Sequence, residues 1–485
     1  MARLGATGLY TQALRVGGSG DDVAVELALD ATGQATITGM FASPSIVFGA
    51  TTLVNFDPSA APSSDVFVAR LNTAGTWTQA VQGGGLADDT VVGVALDPNG
   101  SAVIAGSYRS NTAKFGTYTL AGSLTGGTPF VARLGSTGSW TQAVRIESTG
   151  SPTYISDVAV NASGSAVVAG LSLGDGTLTF GNYTVDTRGR GNCLFIARLN
   201  RVGIWVMAAQ TTGPGGTTIA RHVALDADGN AAVAGETNVP AAAFGSYIVS
   251  SAADAAGNRN FVSFVARLSA VGTWTQVAQT TNSAGNNCYT NALALDGGGN
   301  VWLAGQFNSL TASVGSFNLI NSDPNAVLNN HFDLYLARLS SAGAWTFATS
   351  ATNAVPQALA LTNGLAVVAG SFTSPAAFGT TIISSPASQA GFLANLSVVV
   401  LAAKSNVAGL PACLAWPNPA TGSTTLSFMA ATASRPVQLL DALGREMRRQ
   451  ELPAHATSLT FSLAGLPGGC YLLRCGTTIG RLVVD

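Results

Sequence analysis

The stretch Phe67–Val68–Ala69–Arg70–Leu71, followed by Gly75 and then Trp77–Thr78–Gln79–Ala80, decides how this chain folds. It returns, lightly edited, across the first 397 residues of 485. The arginines Arg3, Arg70, Arg133, Arg198, Arg267 and Arg338 stand 63–71 residues apart, and Asn395 takes the place in a last copy. Seven residues after each arginine comes an aromatic: Tyr10, Trp77, Trp140, Trp205, Trp274 and Trp345. A second half-motif, Val94–Ala95–Leu96–Asp97 with Gly100 and then Ala105–Gly106, falls between the anchors. It recurs at Leu27–Asp30, Val158–Asn161, Val223–Asp226, Leu293–Asp296 and Leu359–Thr362. A compound motif at near-constant period marks a repeat architecture.

Within each unit the apolar period is two. Val92–Leu96 and Ala102–Ala105 flank Asp97–Pro98–Asn99–Gly100, a hairpin with turn chemistry at its tip. Phe67–Leu71 and Thr76–Gln82 are two further strands joined by Asn72–Gly75. Four antiparallel strands per repeat of about 65 residues, with no helical period before residue 400, predict an all-β ring of blades. Six blades result if the Tyr10 strand closes onto the last unit, Leu359–Leu396, and seven if residues precede Met1.

Composition narrows the function. Charged residues make up 9% of the chain, against roughly 25% in ordinary soluble domains. Net charge is −2, and no basic stripe exists to neutralise phosphates, which argues against nucleic acid. No run reaches the roughly 18 apolar residues that a membrane helix needs. Five scattered cysteines form no CxxC pair, so neither structural zinc nor a disulfide framework is expected, nor any cofactor.

The repeat anchors Arg70, Trp77, Arg133, Trp140, Arg198, Trp205, Arg267, Trp274, Arg338 and Trp345 are read as structural. A once-per-unit arginine suits a turn carboxylate or carbonyls, and the tryptophans suit wedges between units. Asp97, Asp226 and Asp296 head turns in which Asp bonds its own backbone. Asp226–Ala227–Asp228–Gly229–Asn230 resembles half a calcium loop, but Ala234 and Thr237 occupy the later ligand positions, so no metal is assigned. No nucleophile elbow or HExxH helix is present, and no catalytic residue is assigned. His222 is read as a packed core residue. Asp21–Asp22, Asp88–Asp89, Asp157 and Asp254 remain carboxylates that folding could bring together. For binding, a loop motif Phe115–Gly116–Thr117–Tyr118 recurs at Phe180–Tyr183, Phe244–Tyr247 and Val314–Phe317. If these hairpins line one rim, Tyr118, Tyr183, Tyr247 and Phe317 form an aromatic arc suited to sugar or peptide faces. Otherwise they pack an outer β-extension.

The pattern V-A-L-D-x-x-G…A-G, then F-V-A-R-L-x-x-x-G-x-W, resembles the bacterial β-propeller repeat called SBBP, over residues 1–397. That resemblance implies a propeller and no single activity. After a linker at 398–411 the period stops, and short strands separated by turns predict a small Ig-like β-sandwich over 412–485. This segment resembles the C-terminal sorting domain of type IX secretion cargo from the Bacteroidota. The matching residues are Pro417, Asn418, Pro419, the stretch Leu439–Arg445 with Gly444 and Arg445, then Gly469, Tyr471 and Arg481–Val484. The resemblance implies recognition by the type IX translocon and by a sortase-like peptidase, with release or attachment at the cell surface. Such cargo should carry a Sec leader, and the chain opens inside its own repeat at Met1–Ala2–Arg3–Leu4, so the expectation is a truncated start. The favoured function is non-enzymatic binding of glycan or protein. The alternatives are an exported polysaccharide hydrolase or lyase, and a structural surface coat.

Overall fold

The structure, a computed structural model, describes residues 1–4, 9–57, 59, 62–122, 126–150, 152–254, 257–283, 286–362, 365–397, 414–416, 418–427, 432–441, 445–475 and 478–484. Contacts divide the chain into two units, Met1–Val398 and Val399–Asp485. Both are built of strands. Among the described residues a single helical turn, Ala326–Asn329, interrupts them in a loop where the sequence marked no helix.

In the first unit, each repeat makes one antiparallel sheet whose strands pair in chain order. Sheet 1 runs Asp22–Leu29, Ala35–Phe41, Asp65–Leu71, Trp77–Gly83, and sheet 2 runs Asp89–Leu96, Ala102–Tyr108, Thr128–Leu134, Trp140–Arg145. Sheets 3, 4 and 5 begin at Thr153, Thr218 and Cys288 and repeat the plan. Sheet 6 has three strands, Ala354–Thr362, Leu365–Phe372 and Ala390–Ser397. Tyr10–Ala13 pairs with Ala2–Leu4, so closure of the Tyr10 strand onto the last unit is not among the described pairings.

The first strand of each sheet packs on the first strand of the next, from sheet 1 through sheet 6. The second and third strands, such as Ala102–Tyr108 and Thr128–Leu134, are buried on both faces, which explains their near-continuous apolar character. The first strand of sheet 1 leaves Val23, Val25, Leu27 and Leu29 exposed.

Each repeat carries one small loop hairpin, the set of them termed the girdle. Phe115 meets Trp140 edge-on at 5.1 Å, and Phe48–Trp77, Phe180–Trp205 and Phe244–Trp274 repeat the contact at 5.0–5.1 Å. Gly116 adopts φ +60°, as the two-residue turn requires, and sits against the Trp140 ring. Thr311–Val314 extends the preceding sheet by pairing with Thr280–Asn282, and Gly176–Phe180 pairs with Glu147–Gly150, the segment that follows sheet 2. Four of the tryptophans thus meet the phenylalanine of their own repeat, and Trp140, Trp205 and Trp274 also sit in clusters shared with the preceding sheet. Trp140 alone among them has a described bond to a neighbouring sheet, donating from Nε1 to Gln82 O at 3.1 Å.

The anchor arginines tie each sheet to the next. Arg70 Nη2 donates to Gly100 O at 2.7 Å, and Arg133 Nη2 donates to Gly164 O at 2.5 Å. Arg198 and Arg267 donate likewise to Gly229 O and Gly299 O. Arg338 turns instead to Asp296 of its own sheet at 3.1 Å. Arg133 also pairs with Asp97 at 3.4 Å, and both are buried. Removing one partner of a buried ion pair strands the other. Arg133→Ala is therefore expected to cost about 3–5 kcal/mol, read from the denaturant midpoint, with Arg70→Ala costing less.

The second unit has two antiparallel sheets. One joins Leu414–Trp416, Ser423–Ser427 and Ser458–Ser462, and the other joins Glu446–Leu452, Arg435–Leu440, Gly469–Cys475 and Thr478–Val484. Alternate residues Val437 and Leu439, Tyr471 and Leu473, and Leu482 and Val484 enter a shared buried cluster with Leu426 and Phe461. The linker 398–411 lies outside the described residues.

Candidate functional site

The repeat's Ala–Gly dipeptide shapes the face where ionisable groups meet. A β-carbon on Gly106 would stand 1.9 Å from Thr90 O, so only glycine fits there. The same holds at Gly39, Gly170, Gly235, Gly305 and Gly370, each within 2.1 Å of the facing carbonyl. Opposite each lies a β-bulge in the first strand, as at Ala24/Glu26, Ile155/Asp157 and Ala220/His222. A bulge adds twist and re-aims the side chain beside it. The residues just past the six bulges are Glu26, Gly93, Asp157, His222, Ala292 and Ala358.

Three of these carry chemistry, and they converge. Glu26 Oε2 accepts from Val94 N–H at 2.7 Å, and Asp157 Oδ2 accepts from Val223 N–H at 2.9 Å. His222 Nδ1 lies 3.6 Å from Asp157 Oδ2. Gly93 leaves open the space between: a β-carbon there would stand 2.7 Å from Glu26 Oε2 and 3.4 Å from Asp157 Oδ1. Enclosure among the inner strands, then the charge of Asp157, pushes the Glu26 carboxyl up to about 7, against the Val94 N–H and His222. Its side chain nonetheless keeps solvent access, so it is ringed by protein without being sealed. For His222 enclosure works to lower the pKa, but the bond and charge of Asp157 and the charge of Glu236 outweigh it, and the net direction is up. Beside them, buried Glu236 accepts from Arg221 Nε at 2.9 Å and from Thr290 N–H at 2.7 Å.

His222 is thus not a core residue: a third of its side chain is open, and its ring faces a carboxylate. Of the carboxylates singled out in the sequence, Asp157 joins this group. Asp22 accepts from Gly18 N–H and Ser43 Oγ at the start of its strand, and Asp254 heads a turn closed by Gly257 N–H. Glu26 was missed, although a signal existed: Glu26, Asp157 and His222 each stand four residues before the turn residues Asp30, Asn161 and Asp226. In the half calcium loop, Asp226 accepts from Asn230 N–H and Nδ2. Among the described residues, no group of three or more His, Cys, Asp or Glu side chains is placed to hold a metal ion.

Tyr118, Tyr183, Tyr247 and Phe317 lie one per sheet, on hairpins that pack against the outermost strand of their own sheet. Tyr118 Oη donates to Thr141 O at 2.5 Å and Tyr247 Oη to Thr275 O at 2.6 Å. Tyr183 and Tyr247 remain exposed. On two of these hairpins Ile248 and Ile320 are exposed, and on the corresponding hairpins of the first and last repeats Val54 and Ile382 are exposed, 57–73% in all.

In the tail, Asn418 Oδ1 accepts from Val483 N–H at 2.8 Å, and Pro419 follows it through a cis peptide bond. Arg445 Nε donates to Asp441 Oδ2 at 2.7 Å, and buried Tyr471 donates to Pro467 O at 2.7 Å. Gly469 opens a strand whose Leu472 pairs with Arg481. Pro417 and Gly444 lie outside the described residues.

Residues 414–483 match the family described as the secretion system C-terminal sorting domain. The chain therefore carries a type IX secretion tail, which marks it for export to the cell surface or the medium and for engagement with that machinery. No described helix is long and apolar enough to cross a membrane. No curated protein matches the chain. Among solved structures it is similar to a point mutant of the Synechocystis apocarotenoid oxygenase, at 10% identity over 74% of this chain and 85% of that one, with a TM-score of 0.30. A chimera of that oxygenase with RPE65 gives 11% identity over 74% and 85%, with a TM-score of 0.29. Likeness at this level carries no argument about activity.

Proposed function

We propose that the protein is an exported β-propeller of six or seven blades with an Ig-like sorting domain, and that it binds glycan or protein without chemistry. The observation carrying this reading is the girdle. Its outward face presents Tyr183, Tyr247, Val54, Ile248, Ile320 and Ile382 to solvent, on a rigid scaffold addressed to the outside. Exposed aromatics on locked hairpins bind at low entropic cost. The test is a glycan and peptide array probed with the whole chain, followed by analysis of the same array for released product. Binding without turnover is expected. Replacing Tyr118, Tyr183 and Tyr247 by alanine together should weaken it at least about tenfold, roughly 1.4 kcal/mol. Undiminished binding by that variant removes the girdle from the reading, and no binding at all favours a coat protein.

A specific observation favours a second reading, an exported hydrolase or lyase: the convergence of Glu26, Asp157 and His222 around Gly93. A carboxyl with its pKa near 7 is half protonated at neutrality and more so below, and can act as a general acid beside a second carboxyl. On this reading turnover falls as pH rises through about 7, because the raised group then loses its proton. Glu26→Gln should remove turnover by about 100-fold or more. Product release that is unaffected in that variant excludes Glu26 as the acid.

A further inference from the structure

At the junction of sheets 1 and 2, two buried carboxyls face each other with too few donors. Asp65 opens the third strand of sheet 1 and Asp89 the first strand of sheet 2, and both are at most 1% exposed. One oxygen of each is supplied: Phe56 N–H donates to Asp65 Oδ2 and Gly85 N–H to Asp89 Oδ2, both at 2.6 Å. Asp65 Oδ1 and Asp89 Oδ1 are buried with no hydrogen-bond partner. Gly84, at φ +146°, lies against both groups. A β-carbon on it would stand 2.5 Å from Asp65 Oδ1 and 2.4 Å from Asp89 Oδ2, so those oxygens lie within about 5 Å of each other. The carboxylates of Asp57 and Asp88 add negative charge, and Arg109 reaches only Asp88, at 4.0 Å on the surface.

Sheet 5 shows how the fold treats a carboxylate at the same strand position. Asp333 is equally buried, and it accepts from Ser322 N–H at 2.6 Å, Ser322 Oγ at 2.9 Å and Asn353 N–H at 2.8 Å. Asp65 has Phe56 N–H and a weaker share of Gly85 N–H, which bonds Asp89, and it faces a second carboxyl. A buried carboxylate is tolerated only when paired, hydrogen-bonded or bound to a metal.

We propose that Asp65 and Asp89 hold one calcium-type divalent cation between sheets 1 and 2, with Gly84 keeping the space clear. Calcium binds oxygen at about 2.3–2.6 Å with six to eight ligands, so oxygens this close can share one ion while carbonyls and water complete its shell. Magnesium, which demands near-ideal octahedral geometry at about 2.0–2.1 Å, fits less well. The site is separate from the Glu26 group, and Gly84 exchanges backbone hydrogen bonds with Lys114 of the Thr112–Phe115 hairpin beside it. Extracellular modules bind calcium with dissociation constants of about 0.1–1 mM, the range expected here.

The experiment uses the whole chain stripped with EDTA, titrated with calcium chloride by calorimetry, and melted with and without the ion. One calcium per chain is expected, with a thermal midpoint that rises on adding calcium. Asp89→Asn and Asp65→Asn should each abolish the heat and the rise. In EDTA these variants should melt no lower than the parent, because the repulsion between carboxyls is gone, so calcium inverts the order of stability. Gly84→Ala, which fills the cradle, should weaken calcium binding at least tenfold. A parent midpoint indifferent to calcium overturns the proposal and leaves a pair that shares a proton. A calcium response that survives in both Asn variants places the ion elsewhere and overturns it equally.

Discussion

Phe180→Ala lowers the stability of the first unit by about 3–5 kcal/mol, the cost of emptying a fully buried aromatic site. The ring is at the centre of the cluster that joins sheets 2 and 3, 5.7 Å from Phe195 and 5.1 Å from Trp205. Its strand, Gly176–Phe180, also pairs with Glu147–Gly150, the segment that follows sheet 2. Truncation therefore leaves a cavity lined by two rings, and it loosens the hairpin that bridges neighbouring sheets. Denaturant unfolding followed by tryptophan fluorescence measures the loss. Tyr183→Ala, three residues away on the exposed side of the same hairpin, is the control and should cost under about 1 kcal/mol. Equal losses at the two positions would mean that the girdle does not carry the packing assigned to it.

Deleting residues 414–485 abolishes export, the largest effect expected of any change. The segment matches a secretion sorting domain and owns a buried cluster, Leu426, Val437, Leu439, Phe461, Tyr471, Leu473 and Leu482. It can thus be removed without cutting the core of the repeats, which the division at Val398 places in a separate unit. Cell fractionation and surface proteolysis in a host with type IX secretion would measure it. With the same Sec leader fused to both, the parent chain reaches the surface or medium, and the truncated chain stays inside, folded, with its repeat core intact. A point test is Leu473→Asp, which buries an unpaired carboxylate in the tail and should block export to the same degree. Truncated chain found outside the cell in parental amounts would refute the role assigned to the tail.

The repeats, the hairpins and the tail were legible because their signals are local. Period-two alternation, D-x-x-G turns and the F-G-x-Y loop each act over a few residues, where backbone sterics and turn chemistry dominate. The same locality misled the reading of His222: an apolar-looking strand suggested a core residue, and its bulge turned the ring to a carboxylate instead. Glu26 and Val94, or Asp157 and Val223, are 68 and 66 residues apart, so their meeting depends on how successive sheets pack. Asp65 and Asp89 face each other for the same reason, across a sheet junction. Likewise the loop motif showed four aromatics at one repeat position, while the distribution of one per sheet around a girdle came from strand pairing between neighbouring repeats. The amino-acid order alone determined that the chain is β-structured, repetitive and addressed for secretion. Which charges meet, and which aromatics are free, was decided by bulges and inter-sheet contacts, because those interactions join residues that no short-range pattern connects.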